Sequence, residues 1–249
     1  IDWLPDKQWL EMQSDSVFGE FILETQDLHK MYLERLQSGL HQTMELDPIT
    51  GIMERSVLCL PEACDPIGLR QEAQGAVNEM TGNNAKGPLS VHEMSAIFMY
   101  TGNSLYAQLN AALRDCDRAK SFPYFDYLRL FLEAYRKIPS TEGEFYRGIW
   151  KDLTDEYKEG SAITWWSISS CTPNLYVAQS FGGGHAGGTL FRVRCKSIIP
   201  IMELSAYKGE EEYILAPGTQ LKVTKVIKGR KKAASEIHLE EIENDRLVT

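Results

Sequence analysis

The chain has 249 residues, 43% hydrophobic and 24% charged, which is the composition of a folded globular protein able to bury a core. With 26 basic against 35 acidic residues its net charge is −9, which argues against non-specific binding to nucleic acid and against docking on anionic lipid. No stretch of about 18 apolar residues is present, so no membrane span is expected.

The first half reads as helical. Leu28, Met31, Tyr32 and Leu36 recur at helical spacing, and so do Leu105, Leu109 and Ala112. Residues 46–67 carry three prolines with irregular spacing and read as loop or short pieces. The turn-rich stretch TGNNAKGP, residues 81–88, is the strongest boundary signal and divides a segment 1–82 from a domain 83–249. Ser90 and Glu93 form a capping box that starts a helix through Phe98. Leu128, Phe131, Leu132 and Tyr135 mark an amphipathic helix that must end before Pro139.

Beyond Pro139 the pattern changes to short strands. Residues 145–150 are aromatic and β-branched, and Thr189, Phe191 and Val193 alternate with Leu190, Arg192 and Arg194. Residues 213–215, 221–227 and 237–242 complete the set, and the basic run at 228–232 reads as a solvated turn between two of them. Helices first and strands later predict an α+β fold rather than alternating βαβ units.

The five cysteines (Cys59, Cys64, Cys116, Cys171, Cys195) show neither a CxxC pair nor zinc-ligand spacing. Their odd count fits reduced thiols, with a Cys59–Cys64 bridge left open. No secretory leader is visible, so an intracellular location is expected, with a trimmed leader as the alternative because the chain opens on Ile1. His29, His41, His92 and His238 show no metal-ligand grouping.

Four stretches could carry chemistry. In GEEEYIL, residues 209–215, a strand would put Glu210 and Glu212 on one face and Glu211 on the other. Two carboxylates beside apolar residues can take separate roles; taken alone, the run reads as a solvated acidic strand end. In FYRG, Arg147 offers forked donors suited to phosphate oxygens, and Gly148 would let a ligand approach the backbone. In WWSISSCT, residues 165–172, consecutive hydroxyls follow an aromatic pair and could position a ligand or a carboxylate. The stretch Gly182–Gly187 spells GxGxxG, but a strand rather than a helix comes after it. A dinucleotide-binding turn is therefore rejected in favour of a flexible loop with His185 exposed.

The order of these pieces resembles the arginine-specific mono-ADP-ribosyltransferases, a family of vertebrate ecto-enzymes and bacterial binary toxins with an R–S–E signature. The resemblance spans about residues 88–242, and GEEEYILAPGT is its most specific element. It implies an ADP-ribosyltransferase-like split β-sandwich preceded by helices, with residues 1–82 an additional helical segment without a counterpart. By position, Arg147 resembles the arginine that holds NAD through its phosphates. Ser170 resembles the first serine of the Ser-Thr-Ser motif, which supports the catalytic glutamate, and Thr172 keeps the third hydroxyl of that motif. Where the family reads Ser-Thr-Ser, this chain has Ser170, Cys171 and Thr172. Glu212 resembles the catalytic glutamate and Glu210 the first member of the ExE pair; Phe181 resembles the aromatic near nicotinamide, and Gly148 belongs with the NAD-binding set. The loop 205–209, including Tyr207, corresponds to the substrate-recognition loop.

The resemblance implies a transferase that cleaves NAD at the nicotinamide–ribose bond and passes ADP-ribose to arginine side chains of a protein acceptor. NAD serves as co-substrate and no metal is required. The alternatives are an NAD glycohydrolase on the same fold and a catalytically degenerate binding module.

Overall fold

In the computed structural model, which describes residues 45–82, 87–207, 211–230, 233–243 and 246–249, the capping box forms as the sequence predicts. Ser90 Oγ accepts from the Glu93 N–H at 3.3 Å, and Glu93 Oε2 accepts from the Ser90 N–H at 2.8 Å. Satisfying two orphan donors at once stabilises the helix end by about 1 kcal/mol. The helix it opens runs Val91–Thr101, three residues past the predicted Phe98.

In chain order the described helices are α1 (Leu60–Ala63), α2 (Arg70–Thr81), α3 (Val91–Thr101), α4 (Tyr106–Arg114), α5 (Phe125–Lys137) and α6 (Leu175–Ala178). The periodic residues Leu105, Leu109 and Ala112 fall on α4 or its cap, and α5 stops before Pro139 as predicted. The residues 46–67, expected as loop or short pieces, contain short pieces: a bridge at Ile49, α1 and a single 3₁₀ turn, Asp65–Ile67. The periodic set beginning at Leu28 lies outside the described residues.

The strands are β1 (Thr141–Ile149), β2 (Ala162–Trp165), β3 (Ser169–Cys171), β4 (Thr189–Pro200), β5 (Tyr213–Leu215), β6 (Thr219–Ile227) and β7 (Ser235–Glu241). Hydrogen bonding orders them β2-β6-β7-β4-β5-β3, with β1 also paired to β4. All pairs are antiparallel except β4 with β7. The sheet is split. Strand β4 pairs with β7 through Arg194 and with β1 through Ile198, then with β5 through Ile199 and Pro200. The turn expected at residues 228–232 joins β6 to β7, with Lys231 and Lys232 outside the described residues.

Adjacent residues feed two cores. Trp165, Ile198 and Leu215 pack among β1, β2, β4, β6 and β7, whereas their neighbours Trp166, Ile199 and Ile214 pack against the helices. Period-two alternation sends consecutive side chains to opposite faces, so one split sheet separates two hydrophobic layers. Residues before the boundary expected near 82 belong to the helical layer: Ala73, Ala76 and Met80 of α2 share a core with α3 and α5. The segment 49–52 also pairs with the chain's last residues, through Ile49 N–H to Leu247 O (2.8 Å) and Thr249 N–H to Ile49 O (2.9 Å).

Candidate active site

Where the sheet splits, β1 and β3 meet through one bridge. Tyr146 N–H donates to Thr172 O at 2.7 Å, and Thr172 N–H donates to Tyr146 O at 2.9 Å. That bridge sets Arg147 beside the hydroxyl-rich segment, and Arg147 Nη1 donates to the Ser170 carbonyl at 2.8 Å. Across β3, Ser170 lies opposite Ile214 of β5 and Cys171 opposite Tyr213, which brings Glu212 to the same end.

A cleft of about 680 Å³, counted out to its open mouth, lies there. Arg147, Gly148, Ser170, Thr172, Phe181 and Glu212 all line it, so the residues singled out from four distant stretches converge. Glu211 lines it too, and is exposed where Glu212 is only 7% exposed. Both precede β5 rather than lying within it. Glu210 lies outside the described residues, as do Lys208 and Gly209 of the recognition loop. Tyr207 is described, and its hydroxyl donates to Asn103 Oδ1 at 3.3 Å.

Two expectations change. Gly148, expected to leave room for a ligand, has its bare side filled by the chain itself. A Cβ there would fall 1.9 Å from the Ala178 carbonyl oxygen and 2.7 Å from Gly183 N. The glycine stretch, expected to be a flexible loop, is packed at its ends. A Cβ on Gly182 would meet Trp150 N at 2.6 Å, and one on Gly188 would meet the Gly182 carbonyl oxygen at 2.0 Å. Gly182 also has φ of 99°, which a side chain disfavours. Residues 184–187 are exposed as expected, although His185 stacks on Trp150 with ring centroids 4.1 Å apart. Glycine therefore serves backbone-on-backbone packing in this wall of the cleft.

The electrostatics place opposite charges around the hydroxyl segment. Burial pushes the Cys171 thiol up to about 12, with Arg147 opposing and Glu212 adding to the rise. Behind the cleft, Arg114 donates to Ser167 Oγ. Burial, then repulsion from Arg147, pulls this guanidinium down to about 10, so at neutral pH it remains a second positive charge near Arg147. Neighbouring cations of this kind favour a phosphate-bearing ligand. All five cysteines are free thiols, so Cys59 and Cys64 are not bridged. Among the described residues, no group of three or more His, Cys, Asp or Glu could hold a metal ion, and no helix is long and apolar enough to cross a membrane.

Several contributors have no individual role assigned to them by the sequence. Trp150, Val177 and Ala178 line the cleft, and Ser205 contacts Glu212: its hydroxyl donates to Glu212 Oε2 at 3.2 Å. Asn110 looks like an ordinary helix residue, but its amide donates to Tyr100 Oη (3.2 Å) and its Oδ1 accepts from the Ile168 N–H (3.1 Å), fixing the entry to β3. No local pattern marks such pairs.

The family model for NAD:arginine ADP-ribosyltransferase matches residues 72–246. The chain belongs to that family. Solved ADP-ribosyltransferases share its fold. The eucaryotic mono-ADP-ribosyltransferase ART2.2 is 20% identical, with a TM-score of 0.63 over 82% of this chain and 93% of its own. Vis toxin of Vibrio splendidus is 22% identical, with a TM-score of 0.52 over 77% of this chain and 90% of its own, and one of its structures is a complex with agmatine. Exoenzyme S of Pseudomonas aeruginosa, in a structure bound to Carba-NAD, is 24% identical, with a TM-score of 0.56 over 73% and 88% of the two chains. At these identities the likeness establishes the fold, an α+β ADP-ribosyltransferase architecture. No curated protein matches the chain. The family match begins within α2, ahead of the turn at 81–88, and ends near the C-terminal pairing with residues 49–52.

Proposed function

We propose that this ADP-ribosyltransferase family member cleaves NAD at the nicotinamide–ribose bond and transfers ADP-ribose to arginine side chains of a protein. The observation that carries this reading is the convergence of Arg147, Ser170, Phe181 and Glu212 on one cleft. A guanidinium oriented by a backbone carbonyl holds its fork of N–H donors in a fixed plane, which suits the NAD diphosphate. Phe181 and the hydroxyls of Ser170 and Thr172 frame the nicotinamide end.

The pyridinium of NAD takes the bonding pair and leaves as neutral nicotinamide, so the break puts positive charge on the ribose, as in glycoside hydrolysis. Glu212, nearly buried at the cleft wall, supplies a fixed negative charge where that charge develops. The acceptor sets a second requirement. A guanidinium stays protonated at neutral pH and attacks poorly until a proton is removed. Glu210, two positions before Glu212, is assigned to bind it and take that proton as general base. A glutamate at this position, by family resemblance, favours arginine. The agmatine complex of Vis agrees with that assignment, since agmatine ends in a guanidinium.

Incubation of the protein with NAD and agmatine, followed by mass spectrometry, tests the reading. ADP-ribosyl-agmatine together with free nicotinamide is the expected result. Free ADP-ribose alone would replace the transferase with a glycohydrolase, and NAD binding with no nicotinamide release would leave only a binding module.

A further inference from the structure

The carboxylate of Glu212 enters the cleft with its aim already set by the chain in front of it. Ser205, 1% exposed, donates its hydroxyl to Glu212 Oε2 at 3.2 Å. The same hydroxyl oxygen accepts the Tyr207 N–H at 3.1 Å. A serine has one O–H proton, and with a lone pair engaged by Tyr207 that proton is the group left to reach the carboxylate. The next residue is anchored to the helical layer: Ala206 N–H donates to Thr101 Oγ1 at 2.8 Å, and the Thr101 hydroxyl donates to Phe98 O at 2.7 Å. At the base, Ile201 N–H donates to Glu212 O at 3.0 Å and closes the excursion between β4 and β5.

We infer that Ser205 is a positioning residue for the reaction: held by the end of α3 through Ala206 and Thr101, its hydroxyl fixes the Glu212 carboxylate in the orientation that cleavage of NAD requires. This inference rests on the function proposed above. It adds a residue to which the family resemblance gave no role beyond membership of the recognition loop. One hydrogen bond on Oε2 limits rotation of a flexible side chain at the cleft wall. A charge fixed before the reaction costs no reorganisation as the positive ribose forms.

The test compares wild type, Ser205→Ala and Ser205→Cys in two measurements, NAD affinity by calorimetric titration and the rate of nicotinamide release at saturating NAD. A donor to a charged group that acts by orientation predicts about a 10-fold fall in release for Ser205→Ala, with NAD affinity within about 2-fold of wild type. Ser205→Cys, which keeps a weak donor, should lie between, about 3-fold down. If Ser205→Ala does not melt cooperatively, the cysteine variant alone carries the comparison by the same criterion. Turnover equal to wild type overturns the inference, and so does a parallel loss of affinity and turnover, which is the signature of a merely structural contact. A wild-type protein that releases no nicotinamide overturns the proposed function and this inference together, and so is distinguishable from failure of the Ser205 assignment alone.

Discussion

The two walls of the cleft are built in opposite ways. On the Arg147 side, backbone meets backbone: β1 is bridged to β3 at Tyr146 and Thr172, and Gly148 lies against Ala178 and Gly183 with no space between. On the Glu212 side, the chain between β4 and β5 is secured by the hydroxyls of Ser205 and Thr101, besides the backbone bond at its base. The first arrangement can accept no added atom, yet it asks nothing of side-chain chemistry. The second tolerates substitution but loses aim when one hydroxyl goes. On the function proposed above, gripping a diphosphate and placing a charge against a transient cation would use both.

The sharpest way to break the contrast is Gly148→Ala. Its Cβ would land 1.9 Å from one backbone oxygen and 2.7 Å from a backbone nitrogen, and neither belongs to a flexible side chain that could swing away. Overpacking of this severity predicts a loss of about 3 kcal/mol. For a chain of this size that lowers the melting temperature by about 6–12 °C, with NAD cleavage lost alongside. Differential scanning calorimetry decides the matter. Wild-type melting in this variant would mean the 178–183 segment moves freely, and the rigid half of the comparison would be wrong.

Next in size is the pair Glu212→Gln and Glu210→Gln. Glutamine keeps the length and an acceptor oxygen while removing the charge, so Glu212→Gln should preserve melting and cut nicotinamide release about 1,000-fold. Glu210→Gln should spare release and lose transfer to agmatine. Nicotinamide and ADP-ribosyl-agmatine measured in the same reaction separate the two, and equal losses in both variants would contradict the division of roles.

Part of this site is legible without the fold, and the reason is local. Arg147-Gly148, the Ser170–Thr172 hydroxyls and Glu212 fall in short patterns whose order along the chain carries information, while Glu210 lies outside the described residues. The Ser90 cap and the alternation in β4 are likewise set within a few residues. Other parts depend on partners far away in sequence. Ala206 meets Thr101 across 105 positions, and neither residue type announces the other. The helix α2 bears no strong apolar stripe to mark it, because it packs through two alanines and one methionine. The glycines are opaque for a different reason: a sequence shows that side chains are missing, and only the fold shows whether a ligand or another strand occupies the space.

The smallest expected effect concerns Cys171, which lines the cleft yet belongs to its rigid wall. Burial pushes its thiol up to about 12, and burial does the same to Cys64 in the helical layer. Relative to the ordinary value of 9.0, the folded chain keeps protons that the unfolded chain releases. The stability these thiols contribute is therefore complete below pH 9 and declines as pH rises toward 12. Tyr135, raised to about 12 by burial, acts in the same direction. Urea midpoints should accordingly fall between about pH 8.5 and about pH 10.5, and the fall should be shallower in Cys171→Ala. At neutral pH iodoacetamide should modify the exposed Cys116 and leave Cys171 and NAD cleavage untouched. Rapid labelling of Cys171 in the native protein would show that solvent reaches behind the hydroxyl segment, and the wall described as closed would have to open on the timescale of the reaction.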